Sequence, residues 1–317
     1  MVWIRPTVCR LLVMLGAFVL LAARLCAPAG AQAPPVSLKV ATTPIDIGAE
    51  ALWAKDQGFF KKAGVDVEVT LISNGAAIAA AVASNAVDIG QANIVSLATA
   101  HERGLPFVVV APGGYYAAAE PTTAMVVAKN SPFKSAKDLN GKTIAVSGIK
   151  NITQVGASAW LSQNGGDYGS VHFIELPFSQ MAPALAAGRV GAAVVAEPEL
   201  SQTLDGNGRL MGNVYDAVAK EFVIGAWFTT SEWAKQHPDV VKRFAAVMLE
   251  TATWANAHHA ESAKILEKYT KQTIQPRMRR VHFATKFTPS EVQPLIDAAA
   301  KYGVTKTAFP ALELIAQ

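Results

Sequence analysis

Cysteine is nearly absent: the 317-residue chain has two, Cys9 and Cys26, and none after position 26. The rest of the chain therefore has no thiol to form a disulfide, ligate a metal or act as a nucleophile. Charge is scarce at 16% of residues, and 28 Lys plus Arg against 24 Asp plus Glu is too even a balance for a dedicated nucleic-acid binder. Beyond one short stretch near the start, no apolar run approaches the roughly eighteen residues of a membrane span. The six histidines are scattered. Only His258 and His259 adjoin, and neighbours on a helix diverge by about 100°, so they do not grip one metal together. What the chain has is 51% hydrophobic residues, enough for a substantial core, in a length suited to about two domains.

Acidic residues are missing until Asp46. Arg5 and Arg10 precede an apolar run over residues 11–23, followed by Arg24 and a small-residue tract ending Ala29-Gly30-Ala31. A basic start, a short apolar stretch and an A-x-A site spell a secretory signal peptide. Thirteen helical residues rise only about 20 Å, short of the roughly 30 Å hydrocarbon core, so cleavage is expected over retention as a membrane anchor. Cys26 follows Leu25, not the small residue a lipoprotein site needs. Cleavage after Ala31 is expected, leaving a cysteine-free chain. Without Arg5, Arg10 and Arg24 the formal charge falls from +4 to +1.

After the signal, short β-rich runs alternate with Ala-rich helical ones. Strands are expected at 38–41, 65–72, 87–91 and 107–111, and helices at 48–62, 76–84 and 94–103. The pattern restarts with strands at 143–147, 171–176 and 192–196 and helices at 152–164 and 180–187. Such alternation means βαβ units and mostly parallel sheets covered on both faces. Residues 81–90 match residues 184–193 in pattern, each a helix end, a one-residue stop at Asn85 or Gly188, and a return strand. Residues 121–127 read as a crossing into the second lobe and 222–229 as the return. From Ser231 onward the pattern is almost wholly helical, with Pro238 and Thr288 marking helix starts.

Enzyme signatures fail on inspection. Gly141-Lys142-Thr143 precedes a strand where a phosphate loop needs a helix. The Gly206 and Gly208 spacing breaks at Met211, and Trp160 stands where a nucleophile elbow needs its last glycine. Arg277, Arg279 and Arg280 lack stacking aromatics and read as a solvated face or partner contact.

The stretch 53–68 (WAKDQGFFKKAGVDVE) is more specific. It resembles the opening of the nitrate/sulfonate/taurine and thiamine-precursor (NMT1/THI5-like) group of ABC-transporter substrate-binding proteins. Residues 86–90 (AVDIG), 138–146 (DLNGKTIAV), 184–190 (ALAAGRV) with 196–198 (AEP), and His237-Pro238 resemble the same family in the right order. Gly191 stands where an aspartate is more usual. The resemblance implies a two-lobed periplasmic binding protein (type II) fold, each lobe a mostly parallel sheet flanked by helices, with the ligand in the cleft between. Lobe 1 is expected to comprise residues 32–118 and 222–317, and lobe 2 residues 119–221. The implied function is periplasmic capture of a small organic anion, sulfonate or carboxylate, by hinge closure, with delivery to a membrane permease. No catalysis, cofactor, metal or nucleic acid is implied, and a monomer is the expectation. The alternatives are a neutral or cationic heterocycle such as a thiamine-precursor pyrimidine, a pyrimidine-synthesis enzyme on the same scaffold, and a sensory role.

Ligands of such sheets lie outside the carboxyl ends of the strands. That rule selects Thr43, Asp46, Asn74, Asn93, Tyr115, Tyr116, Ser147, Lys150, Asn151, Thr153, Glu197 and Trp227 as candidate ligand-binding residues. In the segment 147–153, free backbone N–H groups, a helix dipole and the Lys150 ammonium would converge on an anion, unless Lys150 is a solvent-facing loop lysine. A helix terminus contributes about 0.3 to 1 kcal/mol, up to about 2 when partly buried, against about 8 for micromolar capture, so several loops must share the work. Asn93, Asn151 and Asp46 are each either ligand contacts or helix caps, and an Asp46 facing the cleft would argue for an amine-bearing ligand. Tyr115, Tyr116 and Trp227 would form a stacking wall for a flat solute or belong to the core or hinge. Glu197, held extended before Pro198, would line the cleft or cap a helix.

Overall fold

A computed structural model describes residues 34–315 of the chain; the expected signal peptide and both cysteines lie outside them. Its strands are β1 (Val36–Thr42), β2 (Val65–Leu71), β3 (Ile89–Asn93), β4 (Phe107–Pro112), β5 (Gly114–Ala117), β6 (Thr123–Ala128), β7 (Thr143–Val146), β8 (His172–Glu175), β9 (Ala192–Ala196), β10 (Gly208–Gly212), β11 (Glu221–Val223), β12 (Gly225–Thr230) and β13 (His282–Phe283). They form two five-stranded sheets, β2-β1-β3-β12-β4 and β8-β7-β9-β6-β10, and a small third, β11-β5-β13.

The two large sheets share one plan. In the first, β2, β1 and β3 are parallel and β12 runs against β3 and β4. In the second, β8, β7 and β9 are parallel and β6 runs against β9 and β10. Each sheet thus has four strands pointing one way and one reversed strand in fourth place. Register repeats as well: Val40 and Ala41 face Ile89 and Gly90, and Ile144 and Ala145 face Ala192 and Ala193. Those partners are the positions matched by the internal sequence similarity.

Sheets covered on both faces need strands without a polar side. Accordingly β9, AAVVA, is buried throughout, as are Leu38 and Val40 of β1. Full burial of such a side chain contributes about 1.5 to 3 kcal/mol. One apolar cluster runs from the first sheet to the second through Tyr116, Tyr215 and Phe222. A separate cluster joins Trp53 to Leu266, Met278 and Phe283 of the helical tail.

Four expected elements differ. The helix at 48–62 is broken by Gly58 at φ +73°, a left-handed conformation that glycine adopts without strain, into Glu50–Asp56 and Phe59–Lys62. The single strand at 222–229 is two, β11 and β12, in different sheets; between them the Ile224 N–H donates to the Gly114 carbonyl and its own carbonyl accepts from Ile94. The loop at 113–116 is mostly strand β5. The helical tail contains β13, which pairs with β5. Among the described residues no helix is long and apolar enough to cross a membrane.

Candidate functional site

The carboxyl ends of β1, β3, β7 and β9 meet the start of β6 around one cavity, about 640 Å³ including its mouth to solvent. Helices beginning at Gly75, Ile94, Ile152 and Phe178 all start at its wall. A helix start carries unpaired N–H groups and a partial positive charge, so this wall favours an anion.

Seven of the twelve expected residues line the cavity: Thr43, Asn74, Asn93, Ser147, Asn151, Thr153 and Glu197. The three asparagines are also helix caps, so the two readings are compatible. Asn93 Oδ1 accepts from the Ser96 N–H at 2.9 Å. Asn151 Oδ1 accepts from the Thr153 N–H at 3.0 Å and its hydroxyl at 2.7 Å, while Asn151 Nδ2 donates to Ser147 Oγ at 3.0 Å. This knot fixes the loop after β7. Asn74 Oδ1 accepts from the Ala77 N–H, and its Nδ2 donates to Glu175 Oε1 of β8 at 3.0 Å, linking the lobes. Thr43 differs in that its Oγ1 is buried without a hydrogen-bond partner among the described residues.

Among the described residues, Glu197 is the only formally charged side chain on the wall. Its carboxylate accepts from the Ser201 N–H at 3.0 Å and hydroxyl at 2.8 Å, so it too lines the cleft and caps a helix. Burial pushes its pKa up to about 7; the Ser201 bonds oppose this, Asp46 adds to it and Arg279 counters it.

The other five lie elsewhere. Asp46 is fully buried and accepts from Arg280 Nη2 at 2.7 Å, from Arg280 Nε and from the Val281 N–H at 2.8 Å. It neither caps a helix with its side chain nor faces the cleft. Arg280 in turn lies 5.6 Å from the Trp53 ring, so the Arg277 to Arg280 run is no simple solvated face. Lys150 is exposed at φ +57° and does not line the cavity; its N–H donates to Gln154 Oε1. Trp227 is fully buried and donates to Glu50 Oε2 at 2.8 Å. Burial pushes Glu50 up to about 8 in spite of that bond. Tyr116 stacks on Phe222 and donates to Asp216 at 2.6 Å, and Tyr115 packs edge-on against His282. No stacking wall forms, because all three aromatics belong to packed strands.

Sequence reasoning overlooked Gln91, Thr122, Thr123, Tyr215 and Phe178, which also line the cavity. Gln91 had a signal: a polar residue in an otherwise buried strand, two places before Asn93 and so on the same face. Thr122 and Thr123 lie where the chain first crosses between lobes, a place any cleft must border.

The chain matches the model of the family described as NMT1/THI5 like over residues 49–262, about two thirds of its length. It is 29% identical over 192 residues to the taurine-binding periplasmic protein of Escherichia coli, covering 60% of this chain and 58% of that protein. The chain thus spans under two thirds of that curated relative. In structure it resembles the periplasmic aliphatic sulphonate binding protein of Escherichia coli, with TM-score 0.72, 18% identity, 89% of this chain and 92% of that one. It resembles the alkanesulfonate-binding protein of Xanthomonas axonopodis pv. citri bound to MOPS, with TM-score 0.74, 17% identity and 90% and 99% coverage. The nitrate-binding protein of Synechocystis PCC 6803 gives TM-score 0.72, 16% identity and 87% and 84% coverage. The repeated sheet plan is therefore the two-lobed periplasmic binding protein fold, and the chain belongs to the NMT1/THI5-like family.

Proposed function

We propose that this protein is the periplasmic solute-binding component of an ABC uptake system, capturing a small organic anion, a sulfonate or carboxylate, without turnover. Residues 32–118 with 222–317 and residues 119–221 would move as two bodies about the crossings. The loaded clamp would dock on a membrane permease, after export and cleavage near Ala31. The observation that carries the anion reading is the convergence of four helix starts on one small cavity rich in hydroxyl and amide groups. Among the described residues no Lys or Arg lines it, so the anion would be held by N–H and hydroxyl donors, with Thr43 Oγ1 among them. The curated relative's name, a taurine-binding protein, agrees with that chemistry.

Glu197 supports a second reading. A lone carboxylate on the wall suits a neutral or cationic heterocycle, such as a pyrimidine, as well as an amine-bearing anion. Calorimetric titration with alkanesulfonates, carboxylates and aminopyrimidines separates the two. At about 100 Kd a bound solute should raise stability by about 2.7 kcal/mol. Stabilisation by pyrimidines alone would replace the anion reading, and turnover of any of these compounds would overturn the transport reading.

A further inference from the structure

The segment between the helix His259–Thr270 and β13 carries more chemistry than the cavity uses. Ile274, Met278 and Arg280 tie it to the first lobe: Ile274 and Met278 are buried in the cluster around Trp53, and Arg280 pairs with Asp46. The residues between them reach the second lobe. Gln272 Nε2 donates to Glu199 Oε1 at 2.9 Å, and Gln202 Nε2 donates to the Thr273 carbonyl at 3.0 Å. Arg277 forms an ion pair with Asp205, and Arg279 Nη1 donates to the Pro121 carbonyl at 3.3 Å. Three of the four contacts fall on one short helix, Glu199–Asp205.

The Glu199 and Gln272 contact is incomplete. Glu199 is 7% exposed, and its Oε2 has no hydrogen-bond partner among the described residues. Gln272 Oε1 is likewise buried and unpartnered. Both orphan acceptors thus belong to one hydrogen-bonded pair. A proton from solvent on Glu199 Oε2 would satisfy both, donating to Gln272 Oε1 while Gln272 Nε2 donates back to Glu199 Oε1.

We infer that residues 271–280 form a strap that holds the lobes closed over the cavity, with Glu199 and Gln272 as its proton-dependent clasp. The clasp rests on the reading of the protein as a hinged receptor and adds its regulation. Burial pushes the Glu199 carboxyl up to about 7, opposed first by its own backbone N–H and then by the Gln272 bond. The pocket around it is lined by Phe178, Ser179, Pro183, Gln202 and Thr203, none of them charged. The nearest titratable groups along the chain are Glu197, before the helix and bound to Ser201, and Asp205, paired with Arg277; on the strap Lys271 adjoins Gln272 and donates to the Lys268 carbonyl. When the lobes part, Glu199 meets water, its pKa returns toward the ordinary 4.5 and the proton leaves. Closing therefore takes up a proton between about pH 4.5 and 7, and the closed form loses ground as pH rises through that window.

The test needs no solute, so a wrong solute class and a wrong clasp fail separately. In the full chain carrying Cys9→Ser and Cys26→Ser, spin labels at Leu71→Cys on β2 and Ile174→Cys on β8 report the gap between lobes. From pH 5 to pH 8 the closed-to-open ratio should fall by a factor on the order of tens. Glu199→Gln, permanently neutral and still able to pair with Gln272, should stay closed at both pH values. Gln272→Leu should be open at both. A pH response as large in Glu199→Gln as in the parent chain, beyond what Glu197 on the cavity wall adds to both, or an unchanging distance in all three chains, would overturn the clasp.

Discussion

The loops after β1 and β7 occupy equivalent places in two sheets of one plan, yet they treat their charges in opposite ways. Asp46 stands five residues after Ala41 and Lys150 five after Ala145, the two alanines at matching register. Asp46 is buried against Arg280, whereas Lys150 points to water and its loop is knotted by Asn151, Ser147 and Thr153. The shared frame sets where a loop goes. It does not set whether a charge there is a structural rivet or a solvated group, which depends on what the rest of the chain brings.

Exchanging the charges tests that contrast most severely. Asp46→Ala leaves Arg280 buried without its carboxylate and should cost about 3 to 5 kcal/mol in urea unfolding. A loss below about 1 kcal/mol would break the comparison. Beneath the same loop, Glu50 keeps its proton in the fold up to about pH 8 but loses it near 4.5 when unfolded. The folded state then binds more protons, so stability should fall by a few kcal/mol as pH climbs from 5 to 8 and level off above. Glu50→Gln should remove the part of that slope that extends above about pH 7, leaving the part due to Glu197 and Glu199, which ends near pH 7. In the second loop, Asn151→Ala removes four hydrogen bonds, two of which cap a helix, and should cost about 1 to 2 kcal/mol in the same assay. Lys150→Ala should move the unfolding midpoint least, within about 0.5 kcal/mol.

The contrast also explains what could be read in advance. Strand positions, helix caps and the cleft loops are local matters of period and turn residue, and β9 was placed to the residue. Asn93 and Asn151 carried their own signal, since an amide between a strand and a helix has few other uses. Asp46 and Trp227 did not. Their partners, Arg280 and Glu50, lie 234 and 177 residues away, and no local pattern announces a bond of that span. Tyr115 and Tyr116 misled for a related reason: the pairing of β5 with β11 and β13, strands from much later in the chain, turned an expected loop into sheet. The strap escaped notice because it has no secondary structure, and its arginines gain meaning only from Asp46, Asp205 and Pro121.

The placing of the reversed strands bears on how the molecule is assembled as it emerges. The second sheet is drawn from one unbroken stretch, residues 123–212, so all its strands are at hand together. The first is not: β12 lies between β3 and β4, and until residues 225–230 arrive those two have nothing to pair with across the gap. The lobe that begins the chain is the one that must finish last, holding a slot open while its whole neighbour is made. Its completion is a long-range closure and the natural slow step of folding.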